Sequence, residues 1–335
     1  MLRSILILLA LITGISYAQN SKDFASTSSS AVEMLNGFIE MRSSYKHSST
    51  KEFSRDEQFA MDDWCHAMEK KFPDAYETSY AWFLNGHYAD DQEASIKDAF
   101  QKAPNDRRIV KAMFGYHIMK GEIGEAKLIV SKVGTYYSKN VFSYYKDVLP
   151  TAGVVITSSV EDAIPLYVLQ LRDGIAKNVK VVNMDFLIND DYRKAQAIYL
   201  NAGDQIFFGD EKDYLKKVMN ANKNVRLSST VSQSYLGGNS TNCYLTGLCY
   251  QANPTSQLAE LESFWKKVAT KNFSSLSLNA AERSLYTNYL PPLLSLYKIH
   301  IAKGIRSETL KNAILALGEK VQQTKNVKSI LNDYE

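Results

Sequence analysis

The sequence predicts a mostly α-helical chain with an α/β layer, a small parallel-type sheet, in its middle and helical hairpins flanking it on both sides. Three observations predict this. Apolar residues recur at helical spacing from Val32 to about residue 146. Two short β-branched runs, Gly153 to Thr157 and Val179 to Asn183, bracket a helical stretch. Helical periodicity then returns over residues 257–273 and 277–325. The 335 residues are 45% hydrophobic and 22% charged, with 7 prolines and 16 glycines, which excludes a disordered tail or a collagen-like rod. That length has room for about two domains. The formal charge is only +3, so no bulk electrostatic argument favours nucleic acid or anionic lipid as a partner.

Taken in order, residues 1–18 carry Arg3, an apolar run from Ile5 to Ile12, Gly14, and then Ser16-Tyr17-Ala18. This charged, apolar and small-residue order predicts a secretory signal peptide cleaved after Ala18; an uncleaved N-terminal anchor is the alternative. The apolar core is shorter than the roughly 20 residues a membrane helix needs. No later segment reaches that length, so no transmembrane segment is expected after cleavage. No cysteine follows the cut at Gln19 and Asn20 to carry a lipid. The expected product is an exported, periplasmic protein, with residues 19–30, serine-rich from Ser26 to Ser30, as a flexible entry segment.

Residues 31–148 read as a helical-repeat domain, with apolar positions at Val32, Leu35, Phe38, Ile39, Phe59, Trp64, Met68 and Phe72. Pro73 and Pro104 each stand just ahead of a new helix, where a missing amide hydrogen is harmless. Around the second proline, the order Ala99, Pro104, Gly115, Gly121 and Ala126 resembles the tetratricopeptide pattern. The proline spacing is 31 residues where that pattern has about 34, and its aromatic positions are loosely kept. The resemblance implies a concave face that binds peptides or partner proteins; the alternative is a helical bundle that packs on the next domain. Trp82, Phe83, Tyr88, Phe114 and Tyr116 read as core rather than ligand contacts.

Composition shifts at Leu149-Pro150-Thr151, which opens a small α/β domain over residues 149–255. Gly153 to Thr157, a helix from about Asp162 to Asp173, and Val179 to Asn183 make a βαβ unit, expected to be parallel. Gln205 to Phe208 and Asn224 to Ser228 are further strand candidates, with a helix over Glu211 to Asn220 between them. Residues 256–335 form a C-terminal helical region expected to pack on this domain, and Pro291-Pro292 interrupts or starts one of its helices.

The loop TSSVEDAIP, residues 157–165, lies at the carboxyl end of a strand and the amino end of a helix, where ligands of α/β sheets bind. Ser158 or Ser159 is placed to cap the helix, and Glu161 and Asp162 suit its positive end while repelling phosphate. With Asn183, Asp185, Asp190 and Asp191 after the second strand, these acids are candidates for a pocket that takes a sugar or a cation. The candidate ligand-binding residues are therefore Ser158, Ser159, Glu161, Asp162, Asn183 and Asp185; plain helix capping is the competing reading. Neither GxGxxG nor GxxxxGK[ST] occurs, no serine sits in GxSxG, and no histidine falls in this region to act as a base. No catalytic residue and no cofactor is expected, with a hydrolase that uses the acidic cluster as a remote alternative.

The cysteines are Cys65, Cys243 and Cys249, so the chain is stabilised by its core rather than by a disulfide framework. Cys243 and Cys249 are the candidate disulfide, formed only if the segment NCYLTGLC turns back on itself; two isolated buried thiols is the favoured reading. No metal is expected. The histidines His47, His66, His87, His117 and His300 show no paired spacing with the cysteines, and Cys65 and His66 point about 100° apart on a helix.

The stretch GVVITSSVEDAIPLYVLQLRDGIAKNVKVVNMDFLINDDY, residues 153–192, resembles a segment in the soluble C-terminal region of bacterial protein O-mannosyltransferase-like membrane proteins. There a strand leads into a TNGDNDTFPLWY-type loop and helix, and a second strand ends in a VVNLSLLNTDWY-type run. Thr157, Asp162, Pro165, Leu166, Gly174, Val181, Val182, Asn183, Leu187, Asp190 and Tyr192 stand at the matching places, and Tyr244 to Leu248 resembles a later leucine-glycine-leucine stretch. Val160 stands where the family has its first loop aspartate, which weakens a shared ligand role for that loop. Glycosyl transfer belongs to the membrane portion of that family. The resemblance, over residues 150–330, therefore implies an exported relative of an accessory α/β plus helical-repeat module. The expected function is a non-catalytic scaffold that docks onto an envelope protein complex of secretion, gliding or glycosylation; a glycan- or glycopeptide-binding accessory module is the alternative.

Overall fold

The computed structural model describes residues 30–45, 53–86, 92–201, 211–231, 243–252 and 254–334. The expected signal, the entry segment up to residue 29, the strand candidate at 205–208, His47, His87 and Tyr88 lie outside the described residues. The chain divides into two units, Met1–Gly121 and Glu122–Glu335.

In the first unit the described elements are α1 (Ala31–Ser44), α2 (Arg55–Lys71), α3 (Tyr76–Gly86), α4 (Glu93–Lys102) and α5 (Arg107–Lys120). Ser30, Ser54 and Asp106 cap α1, α2 and α5, and Ser54 and Glu57 form a full capping box. Each cap contributes about 1 kcal/mol. Pro73 and Pro104 sit in the short connections that precede α3 and α5, as the sequence predicts. Such connections fold successive helices back as hairpins, and α1 also packs on α3. Leu35, Phe38, Met68, Phe83, Phe114 and Tyr116 are fully or almost fully buried, while Trp82 is half-buried against the His66 ring. Two polar ties cross this core. Trp64 Nε1 donates to the Met34 carbonyl at 3.0 Å, and Asn85 Nδ2 donates to Asp62 Oδ1 at 2.7 Å.

The second unit begins with α6 (Ile123–Gly134) and α7 (Lys139–Val148). Sequence periodicity groups both with the helices before them, but they pack on the α/β layer. Tyr144, Tyr145 and Val148 of α7 fill one core with Val155 of the sheet, Leu166 of the following helix and Leu293, Leu310 and Leu331 near the C-terminus. A helix joins whichever neighbour covers its apolar side, and periodicity does not name that neighbour.

The layer itself is β1 (Gly153–Thr157), α8 (Val160–Leu171), β2 (Val179–Asn183), a 3-10 turn (Asp185–Ile188), α9 (Asp190–Leu200), α10 (Glu211–Ala221), β3 (Val225–Ser228), β4 (Cys243–Leu245) and β5 (Cys249–Ala252). The strand order is β2-β1-β3-β5-β4. β1 pairs in parallel with β2 and with β3, whereas β3–β5 and β5–β4 are antiparallel. The sheet is therefore mixed. The β4–β5 hairpin adds an antiparallel edge that strand–helix–strand spacing does not announce. Gly153 enters β1 at φ 104°, where a Cβ would stand 2.4 Å from the Asn224 carbonyl oxygen, so only glycine fits. Among the described residues no strand pairs with the outer edge of β2, and side chains bond to it. Gln170 Nε2 donates to the Val179 carbonyl at 2.6 Å, Tyr167 OH donates to the Val181 carbonyl at 3.0 Å, and the Asn183 N–H donates to Tyr192 OH at 3.1 Å.

The remaining helices are α11 (Gln257–Val268), α12 (Ala280–Thr287), α13 (Leu290–Ala302), α14 (Glu308–Lys320) and α15 (Thr324–Tyr334). Pro291 and Pro292 lie in the first turn of α13, so they start that helix. Among the described residues no helix is long and apolar enough to cross a membrane.

Candidate functional site

The carboxyl ends of β1, β2 and β3 carry Thr157, Asn183 and Ser228, three polar side chains with no solvent exposure. The parallel register sets Thr157 opposite Asn183, and Ile156 opposite Leu227 places Ser228 next in the same row. Residues in register project to one face of the sheet. Two positions back on that face are Val155 and Val181, which pack with Leu166 and Leu169 of α8. The row thus lies on the α8 side.

Strand order also makes this end special. The chain leaves β1 for β2 on one side and returns past β1 to β3 on the other. Where connections diverge in this way, a crevice opens outside the carboxyl ends of the strands. Its two lips are alike in sequence: Ile156-Thr157-Ser158-Ser159-Val160 ends and follows β1, and Leu227-Ser228-Ser229-Thr230-Val231 ends and follows β3. Ser158, Ser159, Ser229 and Thr230 are half-buried. Ser228 Oγ and Thr230 Oγ1 are 2.8 Å apart.

Two adjacent tyrosines of α7 tie the lips together. Tyr144 OH meets Ser229 Oγ at 3.2 Å, while Tyr145 OH donates to Asp162 Oδ1 at 2.6 Å. Burial pushes both hydroxyls well above the ordinary tyrosine range, and the Asp162 carboxylate adds to the effect at Tyr145. They remain neutral donors.

The structure brings most of the sequence-predicted residues together, in structural roles. Ser159 is the N-cap of α8 and accepts from the Asp162 N–H at 3.3 Å. Ser158 Oγ donates to Asp162 Oδ2 at 3.0 Å, so each Asp162 oxygen has a donor. Asn183 Oδ1 accepts from the Asp185 N–H at 2.7 Å, and Asp185 Oδ2 accepts from the Val160 N–H at 2.8 Å. An internal carboxylate therefore stands at the positive end of α8, where an external anion would otherwise bind. Asn183 Nδ2 is buried without a hydrogen-bond partner.

The acidic pocket expected from Glu161, Asp162, Asn183, Asp185, Asp190 and Asp191 is corrected by these positions. Glu161 is exposed and accepts from Tyr137 OH at 3.3 Å. Asp190 pairs with Arg193, and Asp191 is exposed in the first turn of α9. Glu161, Asp162 and Asp185 surround the N-terminus of α8, whereas Asp190 and Asp191 begin α9. Among the described residues no group of three His, Cys, Asp or Glu side chains is placed to hold a metal ion.

The candidate Cys243–Cys249 disulfide is also corrected, since both are free thiols. The segment does turn back, through Gly247 at φ 121°, but its register forbids the bridge. Cys243 faces Ala252, whereas Cys249 faces Thr246, three positions further along the hairpin. At about 3.3 Å per residue the offset is about 10 Å, and the odd step points the two side chains to opposite faces. Burial raises the Cys243 thiol to about 11 and the Cys249 thiol to about 12.

No family model, curated protein or solved structure matches the chain. The residues that sequence reasoning missed are Tyr144, Tyr145, Ser228, Ser229 and Thr230. One signal was available for them: the near-repeat of ITSSV and LSSTV at the ends of two β-branched runs.

Proposed function

We propose that the chain is a non-catalytic interaction protein, exported to the periplasm, that docks onto an envelope protein complex of secretion, gliding or glycosylation. The observation that carries this reading is the engagement of the acids at the strand ends. Asp162 accepts from Tyr145 and Ser158, and Asp185 accepts from the Val160 N–H. Carboxylates held this way position loops, and general acid–base work needs one that reaches a substrate proton. The tetratricopeptide-like order of residues 99–126 and the likeness of residues 153–192 to an accessory module support the same reading. The test is purification of a tagged copy, expressed from its own locus, from gently solubilised envelopes. A stoichiometric partner is expected. A solitary protein in native extracts overturns the proposal.

A second reading, binding of a glycan or glycopeptide, is favoured by the hydroxyl-bearing triplets that end β1 and β3. Hydroxyls both donate and accept, which suits a ligand whose own groups do the same.

A further inference from the structure

We propose that Asn272, in the connection between α11 and α12, is a modification site whose side-chain nitrogen accepts an N-linked sugar from a diphosphate-linked donor after export. This rests on the export part of the reading above and adds a covalent site that neither docking nor glycan recognition requires.

The sequence supplies the pattern. Asn272-Phe273-Ser274 is an Asn-x-Ser/Thr triplet without proline in the middle, which marks an acceptor on a surface loop of an exported chain. The chain has one other such triplet, Asn239-Ser240-Thr241, which lies outside the described residues, while Pro254 spoils Asn253-Pro254-Thr255. The triplet is short, so the fold decides whether the amide can be reached.

The fold presents it. Phe273 is almost fully buried and meets the Tyr289 ring edge-on at 5.6 Å, which pins the turn by the middle residue of the triplet. Asn272 and Ser274 on either side of it are exposed. Ser275 fastens the turn by donating from its N–H and its Oγ to the Asn272 carbonyl, at 3.2 and 2.9 Å. Within the triplet, Ser274 Oγ donates to Asn272 Oδ1 at 2.6 Å, and Asn272 Nδ2 has no partner among the described residues. A bulky, hydrophilic group attached at this nitrogen displaces no contact of the core.

The hydroxyl also bears on the chemistry. An amide nitrogen is a weak nucleophile because its lone pair is shared with the carbonyl, and negative charge gathers on Oδ1 as the nitrogen loses a proton. A donor already aimed at that oxygen stabilises the charge where it develops. In the transfer, one Nδ2 proton passes to a base of the transferase and a C1–Nδ2 bond forms. The C1–O bond of the sugar diphosphate breaks, and its electron pair leaves with the diphosphate. The chain supplies the amide and the hydroxyl; the co-reactants are a diphosphate-linked sugar and a transferase of the compartment that receives exported chains.

The experiment isolates the full chain, expressed from its own locus, and maps its peptides by tandem mass spectrometry with electron-transfer fragmentation, which keeps a sugar on its residue. Ser274→Ala, Ser274→Thr and Asn272→Gln are compared with the wild type; each changes an exposed side chain, and circular dichroism checks the fold. Sugar on Asn272 is expected in the wild type and in Ser274→Thr, and its loss in Ser274→Ala and Asn272→Gln, with Asn253 unmodified throughout. An unmodified Asn272 in a chain that has lost residues 1–18 overturns the acceptor and leaves the export reading standing. A chain that keeps residues 1–18 and stays in the cytosol overturns both. Sugar on Asn272 that persists in Ser274→Ala, or sugar found on Ser274 itself, overturns the roles given to the two side chains.

Discussion

Two helix ends in the second unit each meet a buried tyrosine–aspartate pair and a charge from elsewhere in the chain, yet they are closed to different degrees. At the C-terminus of α7, Lys267 from α11 donates to the carbonyls of Lys146, Asp147 and Leu149 at 2.9, 3.0 and 3.1 Å. Asp147 beside them accepts from Tyr289 OH at 2.7 Å and pairs with Lys271 at 2.9 Å. At the N-terminus of α8, Asp185 accepts from the Val160 N–H, Ser159 caps the helix, and Tyr145 holds Asp162 on a half-buried rim. The first end is a multiple closure that fastens α7 to the C-terminal helices. The second is a capped rim whose serines are half-buried. Opposite ends of neighbouring helices are thus fastened by different means, a lysine cation at one and caps with a carboxylate at the other.

The largest effect expected from this contrast is at Lys267. Replacing it with Met leaves the three carbonyls without their cation, and one hydrogen bond to a charged group contributes about 1.5–3 kcal/mol. Lys267→Met should therefore lower the unfolding free energy in urea by about 3 kcal/mol. A loss below that of the Asp185 variants described below would show that the α7 end is not the stronger closure.

Alkaline pH tests both ends at once. Burial, reinforced by the facing carboxylate, holds the Tyr145 and Tyr289 hydroxyls far above the ordinary value of 10. Their contribution to stability is complete below pH 10, where the unfolded chain also keeps the proton, and is lost as pH rises further. By pH 11 each should cost about 1.4 kcal/mol. Lys267 acts in the opposite sense. Burial lowers its folded value, against the pull of Asp147, so its term grows as pH rises towards 10.5. One lysine against two tyrosines leaves a net loss. Absorbance at 295 nm should show a class of tyrosines that ionise only as the fold is lost, and Tyr289→Phe should remove part of the pH dependence. Ionisation of all tyrosines near pH 10 with the fold intact would show that these hydroxyls are not enclosed.

Much of this architecture was legible in the sequence, because the signals are local. β-branched runs place β1 and β2, a serine before acids marks the start of α8, and Pro291-Pro292 marks the start of α13. What was not legible depends on pairing between distant residues. Lys267 meets carbonyls about 120 positions away, and Tyr144 meets Ser229 only once β3 lies beside β1. The site was half legible for the same reason. Ser158, Ser159 and Asp162 follow from helix capping, whereas the second lip requires the strand order. Asp185, Asp190 and Asp191 looked like one cluster because they are close in sequence, but each serves the helix it begins or faces.

The smallest expected effects separate charge from hydrogen bonding at Asp185. Asp185→Ala removes both the acceptor and the negative charge from the α8 N-terminus, so a loss of about 1 kcal/mol follows, as for a lost cap. Asp185→Asn keeps an oxygen within reach of the Val160 N–H and removes only the charge, which leaves a loss of about 0.5 kcal/mol. The charge component is screened by salt. The Asn variant should therefore approach the wild type as sodium chloride is raised, while the Ala variant stays below it. Equal losses in the two variants, insensitive to salt, would show that Asp185 acts as a hydrogen-bond acceptor alone, and the charge argument against phosphate at this helix end would then rest on Glu161 and Asp162.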